Sequence, residues 1–156
     1  MVKRIEHHTA FTDADAIARS TGDWNYCSVI AAHLLTDKSF DECQRVFDTL
    51  GRNRKKPTPL SITRLAYPAL GFDMREIKLA EQHDRFFSKY PGQHKFKLHL
   101  TSRHPHRFAN VWRDNAPRRL LAHSRNHAWA IIDGQTIDYS INRSLRIQWL
   151  WEITPK

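Results

Sequence analysis

The chain has 156 residues, with 25 Lys and Arg against 16 Asp and Glu and a formal net charge of +9. That length fits one domain that buries roughly 70 % of its unfolded surface and needs no covalent staple. Two cysteines exclude a disulfide framework, residues 1–20 lack the apolar core of a secretion signal, and no apolar run reaches membrane-spanning length.

The expectation is a cytoplasmic protein, not bound to a membrane, with both thiols reduced. Its basic surplus admits nucleic acid, an acidic protein surface or an acidic substrate as partner, without choosing among them. No internal repeat and no low-complexity stretch is present.

Residues 13–19 suggest a short helical segment. The first strong helix runs from Cys27 to about Leu35. Ser39-Phe40-Asp41-Glu42 is a capping box opening a second helix, with Val46, Phe47 and Leu50 as its apolar stripe and Gly51 as its stop. A basic loop follows at Arg52-Asn53-Arg54-Lys55-Lys56. Thr58-Pro59 reads as an N-cap followed by proline at the first helical position of a third helix. Leu60, Ile62, Leu65 and Leu70 support that helix, and Pro68–Gly71 close it. A fourth helix fits residues 80–90, ending at Pro91-Gly92.

After Gly92 the period changes from helical to two. Phe96, Leu98 and Leu100 alternate with Lys95, Lys97 and His99, which predicts a strand. Further strands are predicted near 107–112, 119–123, 127–132, 135–140 and 145–153. Helices first and strands second make an α+β layout. It forms one domain over residues 1–156, with a helical part over about 13–90 and a β part over about 94–153.

Asp133-Gly134 between two apolar runs is a strong two-residue hairpin signal. If these two form the turn, Ile132 pairs with Gln135 and Trp129 lies opposite Asp138. Side chains alternate along a strand, so His127 shares a face with Trp129. His127 and Asp138 then become diagonal neighbours, roughly 7–8 Å apart at the backbone and within side-chain reach. Asp133 would sit about 20 Å along the strand from His127, at roughly 3.3 Å per residue. The register therefore selects Asp138 over Asp133 as partner of the imidazole.

Cys27 opens a helix one hundred residues earlier. A thiol of pKa about 8.5 is mostly protonated at neutral pH, and a helix N-terminus with a nearby imidazolium favours the thiolate. A nucleophilic Cys27, a proton-transferring His127 and an orienting Asp138 would form an acyl-enzyme from an amide or thioester and release it with water. The backbone N–H of Cys27 would serve the oxyanion.

This constellation resembles the papain-like cysteine peptidase superfamily. It is similar in size and order to the bacteriocin-processing peptidase domains of exporters, and to small papain-like proteins of bacteriophages and prophages. The residues that carry the resemblance are the Asp/Asn-containing lead to Cys27, the helix ending in Leu50-Gly51-Arg52, and the hairpin from His127 to Asp138. The resemblance covers about residues 20–72 and 118–153. It implies a papain-like fold with N-terminal helices on a C-terminal antiparallel sheet, a peptide or protein substrate, and no cofactor. Papain-like peptidases place an oxyanion glutamine about six residues before the cysteine, where this chain has Thr21. Asn25 or Asp23 would have to take that part. The exporter-type domains have glycine after the cysteine, where this chain has Ser28.

Each of these residues also has an ordinary reading. Free cysteine is among the most buried residue types, so Cys27 alone reads more readily as core than as nucleophile. His127 alone reads as a strand-end histidine, and Asp138 as a solvated carboxylate. Cys43 and the tryptophans Trp129, Trp149 and Trp151 read as packing. The spacings of His94, His99, His104, His106 and His123 match no zinc motif, so no metal is expected. Arg52, Arg54, Lys55 and Lys56 are the candidates for phosphate or partner contact. They support the alternative function, a papain-like fold serving as a basic phage-type binding protein for an acidic host factor or nucleic acid in the host cytoplasm.

Overall fold

The computed structural model describes residues 7–23, 25–91, 105–125, 127–138 and 147–156. In chain order the elements are α1 (His7–Ser20), α2 (Cys27–Thr36), α3 (Phe40–Thr49), α4 (Leu60–Ala69), β1 (Phe72–Glu76), α5 (Leu79–Lys89), α6 (Pro105–Asn110), β2 (Arg119–His123), β3 (Ala128–Ile132), β4 (Gln135–Ile137) and β5 (Trp149–Pro155). No helix among the described residues is long and apolar enough to cross a membrane.

The α3 helix shows how the sequence sets an element. Ser39 caps it, its Oγ accepting the Glu42 N–H at 3.1 Å. Phe40, Cys43, Gln44 and Phe47 recur at helical spacing and are all buried. Gly51 turns the chain out at φ +102, a conformation that costs glycine little. By contrast α2 is buried almost all round, as a central helix must be. Cys27, Ile30, Ala31 and Leu34 form its stripe against Ala128, Ala130 and Ile137. The alanines on both sides keep side-chain bulk out of this contact. At its other end, Arg119 donates from Nη1 to the Leu35 carbonyl at 3.0 Å and pairs with Asp37 at 2.9 Å. The last turn of α2 is thus tied to β2.

The five strands form one antiparallel sheet in the order β1-β5-β2-β3-β4. Helices α1–α4 pack on one face with Leu121, Ala128, Ala130, Ile132, Trp151 and Ile153. Helices α5 and α6 cover the other with Leu120, Ala122, Trp129, Ile131 and Leu150. Alternate residues of β3 enter opposite cores, and all five are buried. The chain is therefore α+β, with N-terminal helices packed on a largely C-terminal antiparallel sheet.

Several expectations change. The first helix begins earlier, at His7. The division into a helical and a β part is less clean than predicted, because β1 lies among the helices and α6 among the strands. Residues 107–112 are not a strand: Phe108, Val111 and Trp112, three and four residues apart, are all buried, and the chain is helical over Pro105–Asn110. The cap of α4 is Pro59 rather than Thr58, since the Pro59 carbonyl accepts the Ile62 N–H at 3.1 Å. Leu65 faces solvent at 58 % exposure, leaving Ala66, Tyr67 and Leu70 to carry the inner stripe. The strand predicted over Phe96–Leu100 lies outside the described residues.

Candidate active site

Cys27 is the first residue of α2, whose N-cap, Tyr26, makes no side-chain cap bond and whose first turn holds no acid. The helix start therefore presents unpaired positive dipole to the thiol. Cys27 is partly buried.

His127 immediately precedes β3. Its carbonyl accepts the Ser124 N–H at 2.8 Å and the Ser124 hydroxyl at 3.3 Å, which fixes the backbone there. Its ring stacks on Trp129, two residues on, with centroids 5.6 Å apart and planes 19° from parallel. The Asp133-Gly134 turn has positive φ at both residues, +50 and +78, as a type I′ hairpin requires. Its register pairs Ile132 with Gln135, Ile131 with Thr136 and Ala130 with Ile137. Asp138, the next residue, receives the His127 Nε2–H at 2.7 Å on Oδ2. Both side chains are more than nine-tenths buried, at 8 % and 5 % exposure. Asp133 points elsewhere, its Oδ1 accepting the Arg118 N–H at 3.0 Å.

The Cys27 thiol and the His127 imidazole influence one another, each shifting the other's ionisation. Asp138 engages Nε2, so Nδ1 is the ring nitrogen that a thiolate would meet. Burial pushes the Cys27 thiol up. The His127 hydrogen bond and charge, the Ala128 N–H and Ser28 more than offset this, so the thiol lies below its ordinary value of 9.0. Burial also works against a charged His127. The Asp138 bond, and then Cys27, reverse that and raise the ring from 6.5 to about 9. Both displacements favour thiolate beside imidazolium. Neighbouring His123 moves the opposite way: burial lowers it, despite a bond to the Ser124 carbonyl. Its ring meets Trp149 edge-on at 5.9 Å.

The other site candidates are engaged elsewhere. Thr21 donates its hydroxyl to the Ala18 carbonyl at 2.9 Å, closing the end of α1. Asn25 donates its Nδ2 to the Arg54 carbonyl at 2.8 Å. Asp23 is fully buried against Arg52, whose Nη1 lies 3.1 Å from Asp23 Oδ1, and Gln44 donates to its other oxygen at 3.1 Å. Arg52 is therefore not a surface phosphate contact. Its side chain is wholly buried and also donates to Asp48 Oδ1 at 3.0 Å. Arg54 pairs with Asp48 at 2.9 Å. Lys55 and Lys56 alone of the four candidates remain exposed and outside any ion pair among the described residues.

Sequence reasoning missed the parts of Ser28, the Ala128 N–H and Arg52. The i,i+4 spacing of Asp48 and Arg52 was visible, whereas the Asp23 partner, 29 residues away, had no local signal. Cys43 packs with its sulfur 3.9 Å from the Thr36 hydroxyl, and burial pushes its thiol up to about 12. No three His, Cys, Asp or Glu among the described residues are grouped to hold a metal ion. His94, His99 and His104 lie outside the described residues. Compared with protein-family models, with curated proteins and with solved structures, the chain has no match.

Proposed function

We propose that this chain is a cysteine-dependent hydrolase of amide or peptide bonds, working in the papain-like manner. The observation that carries the reading is the line Asp138–His127–Cys27, with the carboxylate 2.7 Å from the imidazole and the thiol at a helix N-terminus. The Cys27 thiolate attacks the substrate carbonyl carbon, and the carbonyl π electrons pass to its oxygen. The oxyanion meets the backbone N–H of Cys27 and the positive end of α2. Collapse of the adduct expels the amine, which takes its proton from the His127 imidazolium and leaves a thioester. A water molecule, deprotonated by the now neutral His127, attacks the thioester. The acid departs, and the thiolate–imidazolium pair is restored. Asp138 holds the ring in one orientation and balances its charge throughout.

The test is turnover of a peptide or amide library by the wild-type chain and by Cys27→Ala, with circular dichroism confirming that both are folded. Turnover that disappears in Cys27→Ala supports the reading, and an equally active Cys27→Ala protein ends it.

A second reading is a binding protein that keeps this fold with little or no turnover. It is favoured by the engagement of the Thr21, Asp23 and Asn25 side chains with other partners, which leaves none of the three to hold an oxyanion. Salt-sensitive binding to nucleic acid or an acidic protein, equal in wild type and Cys27→Ala, would decide for it.

A further inference from the structure

The helix that carries the candidate nucleophile has no cap of its own. Tyr26, at the N-cap position, has φ −104 and ψ 4 and offers no side-chain acceptor to the first turn. A helix start without a cap is free to fray or shift, which would carry Cys27 away from His127. Something else must hold Asp23, Asn25 and Tyr26.

Arg52 does so from the loop that follows α3. Its guanidinium spans Asp23, contributing Nη1 to Oδ1 at 3.1 Å and Nη2 to Oδ2. The same Nη1 donates to the Asn25 carbonyl at 3.1 Å, two residues before Cys27. Asp23 in turn receives the Asn25 N–H at 3.2 Å, closing a small ring of bonds around the segment. Asp48 fixes the other edge of the guanidinium through Nε at 3.0 Å. Asn25 reaches back to the Arg54 carbonyl at 2.8 Å. On the opposite side, Tyr26 donates its hydroxyl to Asp15 of α1. Only a planar fork with several donors can serve a carboxylate, a second carboxylate and a backbone carbonyl together.

Two buried charges are an expensive way to hold a loop. Well-packed apolar side chains commonly give equal or greater stability at such sites. The value of the arrangement lies in its geometry. We propose that Arg52 is a positioning residue for Cys27, acting through Asp23 and the Asn25 carbonyl to set where α2 begins and hence where the thiol meets His127. The proposal rests on the hydrolase reading and assigns Arg52 no contact with substrate.

The experiment is the pH profile of Cys27 alkylation by iodoacetamide, with the labelled residue identified by peptide mass spectrometry. Four proteins are compared: wild type, His127→Ala, the double variant Asp23→Leu/Arg52→Met, and Arg52→Lys. The double variant removes both charges, so it leaves no lone ion in the core. Arg52→Lys keeps the charge but not the fork, and is read by the same criterion if the double variant does not fold. The expected result is a wild-type thiol reactive at about pH 6. Folded clamp variants should fall about tenfold or more at that pH, consistent with the cost of a small misplacement at a reacting centre. They should recover near wild-type rates at high pH, where any thiol ionises. A merely structural clamp would lower the melting temperature and leave the profile unchanged. A folded double variant with the wild-type profile overturns the proposal while leaving the hydrolase reading intact. A wild-type thiol that His127→Ala does not slow overturns both.

Discussion

Replacing Asp138 by Asn tests the electrostatics of the site while sparing its shape. Asparagine keeps an oxygen able to accept the Nε2–H of His127, so ring orientation survives, but the charge is gone. Raising the ring from 6.5 to about 9 corresponds to about 3 kcal/mol of added preference for the protonated form. Burial opposes that preference, so the favourable contributions exceed the net figure. The Asp138 hydrogen bond leads them, followed by Cys27. An opposite charge at this range typically moves a pKa by about 1–3 units, so losing it should shift the thiolate–imidazolium balance by about 10- to 1,000-fold. The assay is again Cys27 alkylation against pH. The wild-type rate should rise at acidic pH, hold a plateau while the ion pair persists, and rise again near pH 9 as the imidazolium loses its proton. In Asp138→Asn the acidic plateau should drop by about tenfold or more at about pH 6, with one rise near the value of an ordinary thiol. Plateaus that agree within twofold would refute the reasoning, because Asp138 would then contribute nothing to the charged pair.

Four further outcomes follow from the same geometry. Arg52→Met alone leaves Asp23 buried without its main partner and should cost about 3–5 kcal/mol in urea unfolding, or roughly 6–20 °C in Tm; a loss below about 1 kcal/mol would contradict the buried pair. His127, raised to about 9, contributes stability that is complete below about pH 6.5 and disappears as pH climbs through 9, whereas the depressed Cys27 contributes in the opposite sense and masks it. Cys27→Ala keeps only the Asp138 share of that rise, so it should lose stability as pH climbs above about 6.5 more steeply than wild type, and parallel urea-stability curves would argue against the coupled pair. Gly134→Ala should cost at least about 1–2 kcal/mol in thermal unfolding, because φ is +78 and the new Cβ would lie 2.7 Å from the Cβ of Arg113. Cys43, with its thiol pushed up to about 12, should remain unlabelled at neutral pH while Cys27 reacts, as mass mapping of the alkylated peptides would reveal.

The candidate site was legible in the sequence because its two halves are each local. A two-residue turn leaves one register, and that register makes His127 and Asp138 neighbours once Asp133 and Gly134 adopt positive φ. The start of α2 is local as well, marked by the apolar run after Cys27. Joining the halves is a tertiary matter, yet its means are also in the sequence: the alanines of α2 and of β3 leave room for close approach. What escaped the reading is what depends on topology. Phe72, Asp73, Met74 and Arg75 alternate as an edge strand should, but its partner β5 lies some eighty residues on. Phe108, Val111 and Trp112 suit strand or helix by residue type, and the second core beneath α5 decides for helix. Arg52 is the sharpest case. Within a run of four cations it looks like solvated surface, and only the fold brings Asp23 to it. A charged residue in a basic loop thus carries opposite meanings according to whether a carboxylate distant in sequence lies beneath it. Here the carboxylate belongs to the segment that leads into Cys27, so the residue least recognisable from local sequence is the one that holds the start of the site.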